Sequence, residues 1–133
     1  MSLILTLAID DLDRSESFYR DVLDLPVQRF RPDDAAHELL MLPQGDTTVL
    51  LREAEVLEAR HPAAFQHLDR QNRGVGLSLD FQVTDLNLIH NNLRRREHTC
   101  LYESEDQEHG IHELWLYDPD HYLLILTQVT QPG

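Results

Sequence analysis

The sequence predicts an α+β fold built from two modules, each running strand, helix, strand, strand, strand. Three observations lead there. The apolar run Leu3 to Ile9 has strand length and stops at Asp10-Asp11, from which an amphipathic helix begins at once. The order of elements restarts after Gly74, where Asp85-Leu86 stands 74 residues beyond Asp11-Leu12. The chain's 133 residues, 41% hydrophobic and 26% charged, suit a globular protein able to bury a core without staples.

In chain order, Leu3 to Ile9 reads as a core strand. Asp11 and Asp13 are both good N-cap types for the helix that follows, and Asp13-Arg14-Ser15-Glu16 places negative charge where first-turn N–H groups are unpaired. Leu12, Ser15, Phe18, Tyr19, Val22 and Leu23 fall near one helix face, while Asp13, Arg14, Glu16, Arg20 and Asp21 fall mostly on the other, so the helix should cover a sheet. Strands are then expected at Pro26 to Phe30, Ala36 to Leu42 and Thr47 to Arg52, separated by turns at Arg31-Pro32-Asp33-Asp34 and Pro43-Gln44-Gly45-Asp46. This first module spans about residues 1–53. A connector over 54–73 breaks the pattern, with one short helix opened by Pro62 and carrying Phe65 and Leu68. The second module, about 74–131, has a strand at Leu77 to Val83, a turn at Thr84-Asp85 and a helix with Leu86, Ile89 and Leu93 buried. Strands at Thr99 to Glu103, Ile111 to Tyr117 and Tyr122 to Val129 complete it, the last after the turn Asp118-Pro119-Asp120-His121.

Composition excludes several function classes. A formal charge of -13 argues against nucleic acid as a partner, because that affinity comes largely from cations neutralising phosphates. The Arg94-Arg95-Arg96 cluster ends a predicted helix, where cations complement the dipole. No apolar run approaches the roughly 20 residues a membrane span needs, so no membrane partner is expected. The start Met-Ser-Leu-Ile has no basic segment or small-residue cleavage site, so a cytoplasmic location is expected. A single cysteine, Cys100, rules out an internal disulfide and reads as a buried thiol. No nucleophile elbow or glycine-rich phosphate loop appears, and His109 and His112, the closest informative histidine pair, read as surface or satisfied histidines.

Two passages resemble the vicinal oxygen chelate superfamily, which holds glyoxalase I, fosfomycin resistance proteins, extradiol dioxygenases and bleomycin resistance proteins. Asp11-Leu12-Asp13-Arg14-Ser15 with Phe18-Tyr19 and Val22-Leu23 is similar to the family's opening helix. Asp118-Pro119-Asp120-His121-Tyr122-Leu123-Leu124-Ile125 is similar to its Asp-Pro-Asp-Gly turn before the last strand, with His121 where glycine is usual. The resemblance implies paired βαβββ modules whose mixed sheets curl into a cup with helices outside and a ligand groove inside, and it implies a homodimer. It also implies where a divalent metal would sit, on the first and last strands of each module. Those positions fall on Ile4 and Ser78, on Ile125, and on Val49, Leu50 or Leu51. Hard and borderline cations need carboxylate, imidazole or thiolate donors, so no metal and no cofactor are expected at the family's site. Donors recruited from elsewhere would have to come from Glu53, His37, Glu38 or Glu113.

Strand alternation puts Asp80 and Gln82 on the face of Ser78, away from Leu77, Leu79, Phe81 and Val83. Glu113, Trp115 and Tyr117 alternate with His112, Leu114 and Leu116, and Arg52 adds a charge at the rim. An indole, a phenol and carboxylates suit a flat or cationic organic molecule. Asp80, Gln82, Glu113, Trp115, Tyr117 and Arg52 are therefore the candidate ligand-binding residues of a metal-free small-molecule binder. The competing readings are a metal-dependent lyase, isomerase or dioxygenase with non-standard ligands, and a structural partner-binding dimer in which Trp115 and Tyr117 are core or interface aromatics.

Overall fold

The computed structural model describes residues 2–32, 37–68 and 72–129. The chain divides into two compact units, Met1–Arg73 and Gly74–Gly133.

In the first unit, β1 (Leu3–Ile9) leads into α1 (Leu12–Ser17), which widens into a π turn over Phe18–Val22. Asp11 is the cap: its Oδ1 accepts the Arg14 N–H at 3.1 Å. All six predicted stripe residues of the helix are buried, but the period changes along it. The Leu23 N–H donates to the Phe18 carbonyl, five residues back, and the Leu25 N–H to the Tyr19 carbonyl, with Asp24 left-handed at φ 56°. A π turn inserts one residue per turn and ends here through a short polar side chain that tolerates positive φ.

Strands β2 (Gln28–Phe30), β3 (Leu39–Gln44) and β4 (Thr47–Glu53) follow, in sheet order β1-β4-β3-β2. β1 pairs β4 in parallel, and the remaining pairs are antiparallel. Leu7, Leu51 and Leu40 lie side by side across the sheet, as do Leu5, Val49 and Leu42, and α1 packs against β3 and β4. The opposite face carries Ile4, Thr6 and Ala8 of β1, Thr48, Leu50 and Arg52 of β4, and Met41 and Pro43 of β3. Pro43 and Gln44 belong to β3 and pair with Thr48 and Thr47, so the expected four-residue turn shrinks to Gly45-Asp46. Gly45 at φ 61° supplies the positive first central residue of a type II′ hairpin. The expected Asp33-Asp34 turn and the start of the expected strand at Ala36 lie outside the described residues.

The connector holds two helices, not the one expected. α2 (Ala54–Arg60) leaves β4 directly and α3 (Pro62–Phe65) follows. Ala54 to Arg60 are mostly strong helix formers, but only Ala54 and Leu57 are buried, and two residues over seven make a weak periodic signal. His61 ends α2 because the residue before a proline is pushed out of the helical region, here to φ -135° and ψ 63°. Ala54 and Leu57 close on Ala8, with Phe65 and Leu68 packed alongside.

The second unit contains β5 (Ser78–Gln82), α4 (Leu86–Arg95), β6 (Tyr102–Asp106), β7 (Ile111–Tyr117) and β8 (Leu123–Val129). Its sheet order, β5-β8-β7-β6 with the first pair parallel, repeats that of the first unit. The caps repeat as well, since Asp85 Oδ1 accepts the Leu88 N–H at 3.1 Å. Leu86, Ile89 and Leu93 of α4 are buried, as are Leu79, Phe81, Leu114, Leu116, Leu124 and Leu126 on one face of this sheet. β6 starts three residues later than expected. Glu97 turns left-handed at φ 54°, and the Leu101 N–H donates to the Trp115 carbonyl before regular pairing begins. As a polar edge strand exposed along most of its length, it gives no hydrophobic alternation to fix its ends. At the turn before β8, His121 takes the left-handed conformation, φ 68°, at the position where the resemblance leads one to expect glycine.

The matched caps give a direct test of the repeat. Asp11→Ala and Asp85→Ala should each lower unfolding free energy by about 1 kcal/mol. Urea unfolding that finds either variant indistinguishable from the parent would remove that aspartate from its capping role.

Candidate functional site

The side of the second unit's sheet that faces away from α4 gathers most of the candidate residues. Register sets Ser78 opposite Leu123, Asp80 opposite Ile125 and Gln82 opposite Thr127. On the other flank of β8, Tyr117, Trp115 and Glu113 pair with Leu123, Ile125 and Thr127. Tyr102 and Ser104 of β6 extend the same face beside Trp115 and Glu113. Five of the six candidates, Asp80, Gln82, Glu113, Trp115 and Tyr117, thus share one surface.

Hydrogen bonds hold its carboxylates in place. The Trp115 indole N–H donates to Glu113 Oε2 at 2.9 Å, and the Thr127 hydroxyl donates to Asp80 Oδ1 at 2.9 Å. Tyr102 stands edge-on to Trp115, ring centroids 5.9 Å apart and planes at 88°. Trp115 is partly buried, whereas Tyr102 and Tyr117 are 56% and 40% exposed. Tyr102 and Thr127 were not singled out from sequence. The signal for Thr127 was its i+2 relation to Ile125, and for Tyr102 it was an aromatic in an otherwise polar segment.

Arg52, the sixth candidate, belongs to the first unit. It lines a pocket there with Thr6, Val56, Leu57, Arg60, His61 and Phe65.

The metal positions implied by the resemblance are now defined. Thr6 pairs with Leu50 as Asp80 pairs with Ile125, so Leu50 is the counterpart of Ile125, and the choice among Val49, Leu50 and Leu51 is resolved. In each unit the two positions lie diagonally on one face, Ile4 near Leu50 and Ser78 near Ile125. Three aliphatics and a hydroxyl are not a donor set that replaces the water shell of a divalent ion, and the residues do not fit such a metal. The alternative donors are dispersed. Glu38 pairs with Arg29 and Arg31, Glu113 accepts from Trp115, and Glu53 ends β4. Among the described residues, Asp106, Glu108 and His109 form the one group of three such donors within mutual reach, at the exposed β6–β7 turn. There the His109 ring sits 2.7 Å from Asp106 Oδ2 and holds that carboxyl below its ordinary range. Cys100 is only partly buried, less than expected, and burial followed by the nearby Glu103 pushes its thiol up.

No helix among the described residues is long and apolar enough to cross a membrane. Solved structures share the fold. A glyoxalase-related enzyme from Fulvimarina pelagi aligns with TM-score 0.67 at 15% identity, over 96% of this chain and 87% of its own. A superfamily member from Sphaerobacter thermophilus aligns with TM-score 0.63 at 16% identity, over 96% of each chain. A lactoylglutathione lyase from Agrobacterium tumefaciens aligns with TM-score 0.61 at 20% identity, over 96% of this chain and 92% of its own. At these identities the likeness concerns fold alone. No curated protein sequence matches the chain. The model of the Glyoxalase/Bleomycin resistance protein/Dioxygenase superfamily matches residues 3–126, nearly the whole length, and the chain belongs to that superfamily.

Proposed function

We propose that this chain is a metal-free binder of a small flat organic molecule, aromatic or cationic, held on the open face of the β5–β8 sheet. The carrying observation is the partly buried Trp115 with Tyr102 edge-on to it and the oriented carboxylates of Asp80 and Glu113 on the same face. That face has no arginine or histidine among its paired strand residues. A π surface beside fixed negative charge attracts a delocalised cation, by about 0.5–2 kcal/mol for the ring contribution. The metal-free reading rests on the aliphatic residues at Ile4, Leu50 and Ile125.

Trp115 is the only tryptophan, so its fluorescence reports on this face alone. Titration with N-methylquinolinium should quench it saturably, and Asp80→Asn or Glu113→Gln should each weaken binding roughly three- to tenfold. Equal quenching by a naphthalenesulfonate anion, or none by either probe, would count against the proposal. Metal analysis returning about one tightly held divalent ion per chain would replace it with the metal-dependent reading.

The proposal includes a homodimer. Leu3 and Ile4, on the edge strand β1, are 55% and 61% exposed, apolar side chains that association would cover. Light scattering after gel filtration should give twice the 15.5 kDa chain mass, and a monomer at micromolar concentration would refute it.

A further inference from the structure

We infer that the first unit carries a site for an organic anion, a carboxylate or phosphate group on an aromatic or aliphatic body, in the pocket between the β1–β4 face and helices α2 and α3. This pocket measures about 380 Å³, within the range of small-molecule sites. Its lining combines the polar Thr6, Arg52, Arg60 and His61 with the apolar Val56, Leu57 and Phe65. Among the described residues no carboxylate lines it.

Charge pairing makes that unusual. The chain has 24 acidic residues against 11 cationic ones, all arginine, so a surface arginine has carboxylates in excess to pair with. Arg20, Arg29, Arg31 and Arg73 make ion pairs, and Arg94 and Arg95 make side-chain hydrogen bonds. Arg14 and Arg96 are also engaged. Among the described residues, Arg52 and Arg60 are the arginines whose side chains make neither ion pair nor hydrogen bond, and both line this pocket. Like charges in one concavity repel, and the arrangement is relieved by an anion that two guanidinium forks can grip.

The local fold places them there. Arg52 is opposite Ala8 in the sheet, and the small Ala8 and Ala54 let α2 settle close enough to bring its C-terminal Arg60 over the same face. His61, at the end of α2, tilts toward Phe65, ring centroids 6.4 Å apart, which sets an aromatic wall beside the cations. Thr6 adds a hydroxyl, and the buried Leu57 adds apolar surface. An anionic head with an apolar body matches both kinds of residue in this lining, whereas a cationic head meets two guanidinium groups that repel it.

The test uses the full chain and small probes, followed by calorimetry and by amide NMR shifts. Benzoate and phenyl phosphate should both bind and shift the amides of Arg52, Arg60 and His61, and the tighter of the two names the headgroup. Benzyl alcohol, which keeps the ring without the charge, should bind about tenfold more weakly, as should benzylamine. Arg60→Gln and Arg52→Gln should each lower benzoate affinity about tenfold, and Phe65→Ala should weaken benzoate while leaving inorganic phosphate unchanged. Arg60 is exposed, so its variant tests the site without a folding penalty. Benzoate binding that survives both arginine changes, benzyl alcohol binding as tightly as benzoate, or no binding of benzoate and phenyl phosphate would overturn the inference. Trp115 fluorescence followed in the same titrations tells binding in this pocket, read from the Arg52, Arg60 and His61 amides, apart from binding on the second unit's face.

Discussion

Replacing Asp118 by alanine should cost the chain about 2–4 kcal/mol of stability, lowering its thermal midpoint by roughly 10 °C. Asp118 is 4% exposed, and one oxygen, Oδ1, accepts two backbone N–H groups, from Asp120 at 2.8 Å and from Tyr122 at 2.9 Å. The backbone closes around it: the Asp118 N–H donates to the Tyr122 carbonyl, and the His121 N–H donates to the Asp118 carbonyl. Alanine leaves two buried donors without their acceptor, each costing about 1–3 kcal/mol, and the strained φ of His121 loses part of what holds it. Asp118→Asn keeps a carbonyl oxygen in place and should recover about half the loss. A loss below about 0.5 kcal/mol for alanine would mean that the turn is held by the strand pairing around it.

That turn was legible in the sequence, as was most of the scaffold, because its signals are local. The sequence offered Asp11 and Asp13 alike as caps and read Thr84-Asp85 as a turn, and the side chains of Asp11 and Asp85 are the ones that cap. Strict alternation in Ile111 to Tyr117 sorted Glu113, Trp115 and Tyr117 onto one face, with Leu114 and Leu116 buried on the other. The failures lie where local signals conflict or fade. The π turn at Phe18 to Val22 keeps the same buried residues as an α-helix, so no residue pattern announces it. α2 is too short for a period, and β6 is an edge strand with no buried side to alternate against. For the candidate sites, alternation could group side chains of one strand, but only pairing could add Tyr102 and Thr127 from its neighbours. The pocket around Arg52 needed tertiary folding altogether, because Arg60 and Phe65 reach it from helices that sequence spacing alone does not orient.

Gly74→Ala should be the other large loss, about 2–4 kcal/mol, and Gly76→Ala is its internal control. Both glycines have positive φ, 76° and 80°, so a Cβ at either costs the left-handed penalty of about 1–2 kcal/mol. They differ in what the new atom would meet. At Gly76 nothing lies within 4 Å, whereas at Gly74 the Cβ would stand 2.9 Å from the His121 carbonyl oxygen and 3.1 Å from the Tyr122 Cα. Backbone cannot swing aside as a side-chain tip can, so the Gly74 variant must push the Asp118–Tyr122 turn off its seat, adding about 1–3 kcal/mol. If the contact is as close as the geometry implies, the Gly74 variant exceeds the Gly76 variant by at least about 1 kcal/mol, and equal losses would reduce both to backbone conformation. Because Gly74 and Asp118 act on one turn, the double variant should lose less than the sum of the singles. The displacement also has a functional reading, since this turn starts β8 and so sets Ile125 and Thr127 beside Asp80. N-methylquinolinium quenching of Trp115 should therefore weaken in the Gly74 variant at temperatures where it is still folded, and stay at the parent's level in the Gly76 variant. Quenching unchanged in both would separate the turn's role in stability from any part in shaping the open face.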